Sequence, residues 1–168
     1  FSNSGQRKLF APTGREPGYT VISEIDPIQF EVVWNRLQNI PQEMGTQFKR
    51  AAFTEVIKYA GDLSTGIFTA DGRLIAQGIY TPGLLGGLPE ALRTVLEEHV
   101  SPDELEEGDV VVTNHPYINS GHLPDVFMME PVFYEGDLVG YSATIGHHID
   151  IGGPDPGSYT IETRDMYG

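Results

Sequence analysis

Residues 125–148, DVFMMEPVFYEGDLVGYSATIGHH, decide the fold of this chain. Two segments rich in branched and aromatic residues, 125–134 and 138–147, flank the dipeptide Glu135-Gly136. Such segments are typical of β-strands, and a short Gly-containing separator is typical of a tight turn between antiparallel neighbours. This stretch therefore predicts a β-hairpin, and residues 109–113 predict a third short strand before it.

A second hairpin is predicted upstream, in residues 63–77. The dipeptide Asp71-Gly72 separates two strand-like segments there. Asp-Gly readily adopts the positive φ angles that a two-residue type I′ turn requires. We therefore expect a two-residue type I′ turn at this position.

Two helices are predicted from apolar residues spaced three and four positions apart. The first begins at Asp26, a good N-cap residue, with Pro27 at the first helical position, and extends to about residue 59. Its apolar face is expected to be core: Phe30, Val33, Leu37, Ile40, Met44 and Phe48. The second spans 88–100, after a Gly-rich passage, with an apolar side formed by Leu88, Leu92, Val95 and Leu96. Because helices and strands do not alternate strictly, the fold class is α+β with a mostly antiparallel sheet.

Composition and charge narrow the range of partners. The chain has ten Lys and Arg residues and 24 Asp and Glu residues, for a formal net charge of -14. This negative charge repels nucleic acid and anionic lipid. We expect no nucleic acid and no membrane partner, and a cytoplasmic location, since no signal peptide or long apolar run is visible. There is no Cys, so any metal must be held by His and carboxylate side chains. No phosphate-binding loop is recognisable, so this chain is not expected to bind ATP itself.

The histidines point to a metal site. Four of the five lie within residues 113–158. His122 and Asp125 are separated only by Leu-Pro, a short and stiff spacer that can present both side chains toward one point. In an extended segment 138–150, alternation places His147 on the apolar face, where an imidazole must be hydrogen-bonded or ligated. Two imidazoles and one carboxylate form a familiar ligand set for catalytic Zn²⁺, Mn²⁺ or Fe²⁺.

Three further residues are candidates for catalysis. His148 and Asp150 are either a polar strand face at the surface or support for the metal ligands, with Asp150 accepting a hydrogen bond from an imidazole. His115 is either a further pocket residue or a residue that hydrogen-bonds within its loop. The whole His cluster also has a non-catalytic interpretation, as a hydrogen-bonded core.

Several linked motifs resemble the N-terminal part of the hydantoinase B/oxoprolinase family. They are, in order, DPIQFEVVWNRLQNIPQEMG (26–45), KRAAFTEVIKYAGDLSTGIFTADGRLIAQG (49–78), NHPY (114–117), HLPD (122–125) and HHIDIGG (147–153). The resemblance implies a metal-binding subunit of a hetero-oligomer, with a hydantoinase A-like partner that binds ATP. It implies hydrolysis of a small cyclic amide of the hydantoin, oxoproline or lactam type, after phosphoryl activation by that partner.

Carried over by motif, the metal ligands of the family's ketone-carboxylase branch fall on His122, Asp125 and His147. Two positions depart from the family pattern: His115 stands where Asp is common, and Leu84 where His is common. These departures imply a divergent substrate pocket. Two alternatives to amide hydrolysis stay open, an ATP-dependent carboxylase of acetone or acetophenone type and a non-catalytic scaffold fragment.

The resemblance also bears on domain organisation. Family chains are much longer than this one, so residues 26–168 are expected to be the N-terminal part of a larger metal-binding domain. Residues 1–25 are rich in Gly, Pro, Ser and Thr and lack any helical or strand period. They predict an extended N-terminal arm or a disordered leader.

Overall fold

The structure, a computed structural model, describes residues 26–152, so the predicted arm 1–25 and the end of the chain after residue 152 lie outside the described residues. The α+β class is confirmed. The elements are α1 (Pro27–Ala51), β1 (Leu63–Thr69), β2 (Leu74–Gln77), α2 (Pro82–Thr94), β3 (Val111–Thr113), β4 (Asp125–Tyr134) and β5 (Asp137–His147). Three short helical turns, Val56–Ala60, Val95–His99 and Pro102–Glu104, complete the order. The strands form one antiparallel sheet in the order β2-β1-β5-β4-β3.

The two predicted hairpins are both present, but their turns differ. Between β4 and β5, Glu135 has φ 52° and Gly136 has φ 87°, so the tight turn is confirmed. Between β1 and β2 the prediction of a type I′ turn is wrong, because Gly72 (φ 79°) is the only residue of that turn with positive φ. The connection there spans residues 70–73, and Thr69 closes it: its N–H donates to the Arg73 carbonyl at 2.9 Å, and its hydroxyl accepts from the Arg73 N–H at 3.0 Å.

Helix α2 covers one face of the sheet and builds the main core there. Strand residues that pair directly across an antiparallel ladder share a face, and Phe127 pairs with Ile145 while Met129 pairs with Ala143. These four side chains are buried against the apolar side of α2, whose Leu88 and Leu92 are fully buried as predicted. Two residues beyond the Phe127–Ile145 pair, the same face reaches the first residue of β4 and the last residue of β5.

The start of α2 differs from prediction, because the helix begins at Pro82 rather than at residue 88. The Gly-rich passage is therefore the first part of the helix. Pro82 occupies the first helical position, where its missing N–H costs no hydrogen bond. Glycine discourages a helix without forbidding it, and the packing of Leu84 and Leu88 in the core compensates.

Helix α1 lies on the opposite face of the sheet. The Thr65 hydroxyl donates to the Pro41 carbonyl at 2.7 Å, and Gly146 lies against Phe48 and Ile57. The predicted extension to residue 59 is wrong, since α1 ends at Ala51 and Ala52 is extended. Phe48 and Ile57, nine positions apart, would point to opposite sides of a continuous helix at about 100° per residue. The chain must turn between them for both to reach Gly146.

The predicted core role of the α1 apolar face is only partly correct. Asp26 caps the helix as expected, accepting from the Ile28 N–H at 3.0 Å. However, Phe30, Val33 and Ile40 are exposed, whereas Leu37, Met44 and Phe48 are half-buried. Residues 26–36 are all exposed and burial begins only at Leu37, so apolar spacing alone overestimated the buried length of the helix.

Candidate metal centre

Asp125 and His147 meet where β4 begins and β5 ends. They are directly paired residues of the antiparallel ladder, so their side chains lie side by side at the edge of the core face. The Nδ1 atom of His147 is 2.6 Å from Oδ1 of Asp125. The expectation that strand alternation would bring His147 to the apolar face is met, since Tyr141, Ala143 and Ile145 on that face are buried.

His122 reaches the same carboxylate from the loop that precedes β4. Its Nδ1 atom lies 3.4 Å from Oδ2 of Asp125, and its ring meets that of His147 edge to face, with centroids 5.9 Å apart. One donor atom from each of His122, Asp125 and His147 lies within 4.8 Å of the others. The structure thus brings together the three residues that the sequence nominated as metal ligands.

Backbone hydrogen bonds hold this geometry. The Asp125 N–H donates to the His122 carbonyl at 3.2 Å, which closes the turn around the buried Pro124. The His148 N–H donates to the Pro124 carbonyl at 2.9 Å, and the His147 N–H donates to the Asp62 carbonyl at 3.0 Å. The loop exit and the end of β5 are therefore tied to each other and to the segment before β1.

The electrostatics of the centre suit a cation. The Asp125 side chain is 0% exposed, and within residues 26–152 no Lys or Arg forms an ion pair with it. A buried carboxylate without a compensating charge is costly. His147 is 18% and His122 66% exposed, so the centre is open to solvent on the side of His122. One buried carboxylate and two imidazoles fit a divalent ion with open coordination positions.

Two polar residues of the loop, which the sequence did not single out, also hold Asp125. The Ser120 hydroxyl donates to Oδ2 of Asp125, and the Asn119 side-chain amide donates to the Asp125 backbone carbonyl at 2.8 Å. The available signal was the Asn-Ser pair at 119–120, one glycine before His122. Their conformation was not predictable, because polar loop residues follow no period that assigns a direction to their side chains.

The three candidate catalytic residues lie in different environments. His148 is half-buried, and burial lowers the pKa of its imidazole; the neighbouring His147 lowers this pKa further, while Asp125 raises it. Asp150 is exposed, and its Oδ1 accepts from the Gly152 N–H at 2.8 Å; among the described residues no imidazole donates a hydrogen bond to it. His115 is also exposed, with its ring 5.8 Å from that of Tyr117, and it does not join the triad.

The first turns of α2 lie against the loop of the centre. A Cβ atom built on Gly87 would be 3.5 Å from the backbone oxygen of Asn119. Leu84, at the position where the resemblance leads us to expect His, is buried in the core on the same helix.

None of the helices in residues 26–152 combines the length and apolar character needed to cross a bilayer.

Comparison with known proteins supports the resemblance. The sequence profile described as hydantoinase B/oxoprolinase matches residues 26–168. A 5-oxoprolinase of Dictyostelium discoideum is 38% identical over 139 residues, which is 83% of this chain and 11% of that protein. The B-type subunit of a putative D-/L-hydantoinase of Pseudomonas sp. (strain NS671) is 34% identical over 154 residues, 89% of this chain and 26% of that protein.

A solved structure agrees. The ATP-dependent caprolactamase of Pseudomonas jessenii superimposes with a TM-score of 0.71 and 33% identity, over 85% of this chain and 24% of the caprolactamase chain. This chain thus spans between about a tenth and a quarter of the length of these relatives. Since the family profile matches most of its residues, the chain belongs to the hydantoinase B/oxoprolinase family.

Proposed function

We propose that this chain is the metal-binding part of an ATP-dependent enzyme that hydrolyses a small cyclic amide. The observation that carries the proposal is the cluster of His122, Asp125 and His147 around a buried carboxylate. Its relatives are named as a 5-oxoprolinase, one subunit of a hydantoinase and a caprolactamase. Oxoproline, hydantoin and caprolactam are all cyclic amides, so this substrate class is the one that these names share.

In this proposal His122, Asp125 and His147 hold a divalent ion, Zn²⁺, Mn²⁺ or Fe²⁺. When bound, such an ion supplies Lewis-acid polarisation of a carbonyl or a lowered pKa of water. Asp125 also fixes the ring of His147 through the 2.6 Å contact between Oδ1 and Nδ1. His122, the most exposed of the three, faces the side from which a substrate can approach.

Proton movement is assigned to the residues beside the triad. His148 is half-buried, and its N–H is anchored on Pro124, so its position relative to the triad is set by the same turn. The other two candidates are exposed. His115 lies in the loop between β3 and β4, and Asp150 lies shortly after the end of β5. A general acid or base acts only within hydrogen-bond reach of the reacting group, which favours His148 over the other two.

ATP is assigned to a partner. The sequence carries no recognisable phosphate-binding loop, and one relative is named as a single subunit of a hydantoinase rather than as the whole enzyme. A hydantoinase A-like partner would phosphorylate the amide oxygen, which makes the amide carbon open to attack by water. In the adduct that forms when water adds, the C–N bond breaks and the ring nitrogen takes up a proton, which opens the ring and leaves an acyl phosphate. A second water hydrolyses this acyl phosphate to the carboxylate and inorganic phosphate. This division of labour requires a hetero-oligomer, which we place in the cytoplasm.

The test uses the complete complex. Turnover of hydantoins, oxoproline and lactams with ATP is compared with turnover of acetone or acetophenone with ATP and bicarbonate. We expect ATP-dependent ring opening, whereas activity only on the ketones would favour the carboxylase alternative.

His122→Ala should abolish both bound metal and turnover while leaving assembly intact. His99→Ala, which changes an exposed histidine in the turn after α2, is the matched control and should retain both. Less than stoichiometric metal in the unaltered complex, with fold and assembly unaffected by His122→Ala, would favour the scaffold alternative and refute the proposal.

A further inference from the structure

The two oxygens of Asp125 have different partners. Oδ1 contacts Nδ1 of His147 at 2.6 Å. Oδ2 accepts a hydrogen bond from the Ser120 hydroxyl and is 3.4 Å from Nδ1 of His122. Among the described residues, Ser120 is the one residue outside the candidate ligand set whose side chain hydrogen-bonds to the Asp125 carboxylate.

The Ser120 contact has a physical consequence for the carboxylate plane. The terminal torsion of an Asp side chain is broad, so packing alone sets it poorly. A hydroxyl donor on Oδ2 uses one of about four lone-pair sites of the carboxylate and fixes this torsion. With the plane fixed, Oδ1 stays directed at His147 and the remaining lone pairs of Oδ2 stay directed toward His122.

The position of Ser120 is itself set by neighbouring contacts. Asn119 donates its amide to the Asp125 backbone carbonyl at 2.8 Å, so consecutive loop residues hold the main chain and the side chain of Asp125. The start of α2 supports this part of the loop, since Cα of Ser120 would lie 3.7 Å from a Cβ built on Gly87. Packing of residues 119–120 against α2 therefore holds the Ser120 hydroxyl close to Oδ2 of Asp125.

We propose that Ser120 is a positioning residue of the metal centre, which orients the Asp125 carboxylate for a divalent cation shared with His122 and His147. This inference rests on the proposed function, because it presupposes that the triad binds a metal. Outer partners of metal ligands commonly contribute about 10- to 100-fold to metal affinity. Ser120 should contribute within this range.

The experiment measures the affinity of the intact protein for Zn²⁺ and Mn²⁺ by competition with a chelating dye. Ser120→Ala is expected to weaken binding by about 10- to 100-fold, and Ser120→Thr, which keeps the hydroxyl, to stay near the unaltered protein. Ser120→Gly also lacks the hydroxyl and replaces the alanine variant if that variant does not fold. The visible spectrum of the Co²⁺-loaded protein should change in the variants without the hydroxyl and not in Ser120→Thr.

Ser64→Ala is the matched control. It removes another serine hydroxyl, one that donates to the Thr81 carbonyl at 3.0 Å and forms no hydrogen bond with the triad among the described residues. We expect it to lower stability without changing metal affinity or the Co²⁺ spectrum. Variants without the Ser120 hydroxyl that bind both metals within about threefold of the unaltered protein would overturn the inference, even if less stable. If the unaltered protein itself fails to bind stoichiometric metal, the proposed function is what fails.

Discussion

Gly146→Ala tests how tightly the two faces of the sheet are packed beside the metal centre. Gly146 is buried in β5 next to His147, with α1 and the Val56–Ala60 turn against it. A Cβ atom at this position would lie 2.6 Å from Cζ of Phe48 and 3.2 Å from Cδ1 of Ile57. Carbon atoms pack at about 3.5–4.0 Å, so the Phe48 ring must move by about 1 Å.

The expected loss of stability combines two opposing effects. Overpacking a well-filled site costs about 1–3 kcal/mol. Replacing Gly by Ala at an allowed backbone position recovers about 0.4–1 kcal/mol by restricting the unfolded chain. Since Gly146 does not have a positive φ, that recovery applies. With the middle of each range, about 2 kcal/mol for overpacking and about 0.7 kcal/mol for the recovery, Gly146→Ala should lower the free energy of unfolding by about 1.3 kcal/mol.

The assay is urea denaturation of the variant, of Phe48→Ala and of the double variant. In the Phe48→Ala background the new methyl group has space, so Gly146→Ala should become neutral or slightly stabilising. Gly86→Ala is the control: a Cβ there meets nothing within 4 Å, and a helical Gly→Ala exchange should stabilise by about 0.5–1 kcal/mol.

Two results would refute the reasoning. One is a Gly146→Ala variant within about 0.5 kcal/mol of the unaltered protein, which would mean that the ring moves at no cost. The other is strict additivity of Gly146→Ala and Phe48→Ala, since residues in direct contact are expected to couple by about 0.5–3 kcal/mol.

Three further perturbations test other parts of the structure. Burial raises the pKa of Tyr141 to about 12, and its hydroxyl finds no partner within residues 26–152. Tyr141→Phe should therefore match or exceed the unaltered protein in stability at pH 7. Between about pH 10 and 12 only the unfolded state loses this proton, so urea denaturation at each pH should show the unaltered protein losing stability relative to the variant. Thr65→Val removes the hydroxyl that donates to Pro41 at 2.7 Å and should cost about 1 kcal/mol by the same assay; no loss would contradict this anchor for α1. Asp125→Asn should reduce bound metal below stoichiometric amounts in elemental analysis while preserving the circular dichroism spectrum, and undiminished metal would count against Asp125 as a ligand.

The strands and the faces they present were predictable because their signals are local. Branched and aromatic segments bounded by Glu135-Gly136 placed β4 and β5 within one residue of their observed bounds. The period of two then placed His147 on the face of Ile145, and pairing with β4 made Asp125 its neighbour. The triad could therefore be nominated from spacing and alternation.

The features that sequence missed depend on contacts between distant residues. Because α1 ends at Ala51, Phe48 and Ile57 can both pack against Gly146. The helix propensities of residues near Ala51 do not predict this contact with a distant strand. The hydrogen bond from Ser120 to Asp125 depends on the conformation of a loop without a repeating pattern. Phe30 was predicted to be core but is exposed. Apolar spacing identifies one face of a helix, but it does not show whether another element covers that face.

The central claim is that one cation is shared by His122, Asp125 and His147. An anomalous diffraction map of the intact complex, recorded at the absorption edge of the metal found by elemental analysis, tests it directly. We expect a single peak within bonding distance, about 2.0–2.2 Å, of a donor atom from each of the three side chains. A map with no peak there, or with the metal bound by other residues, would contradict the account.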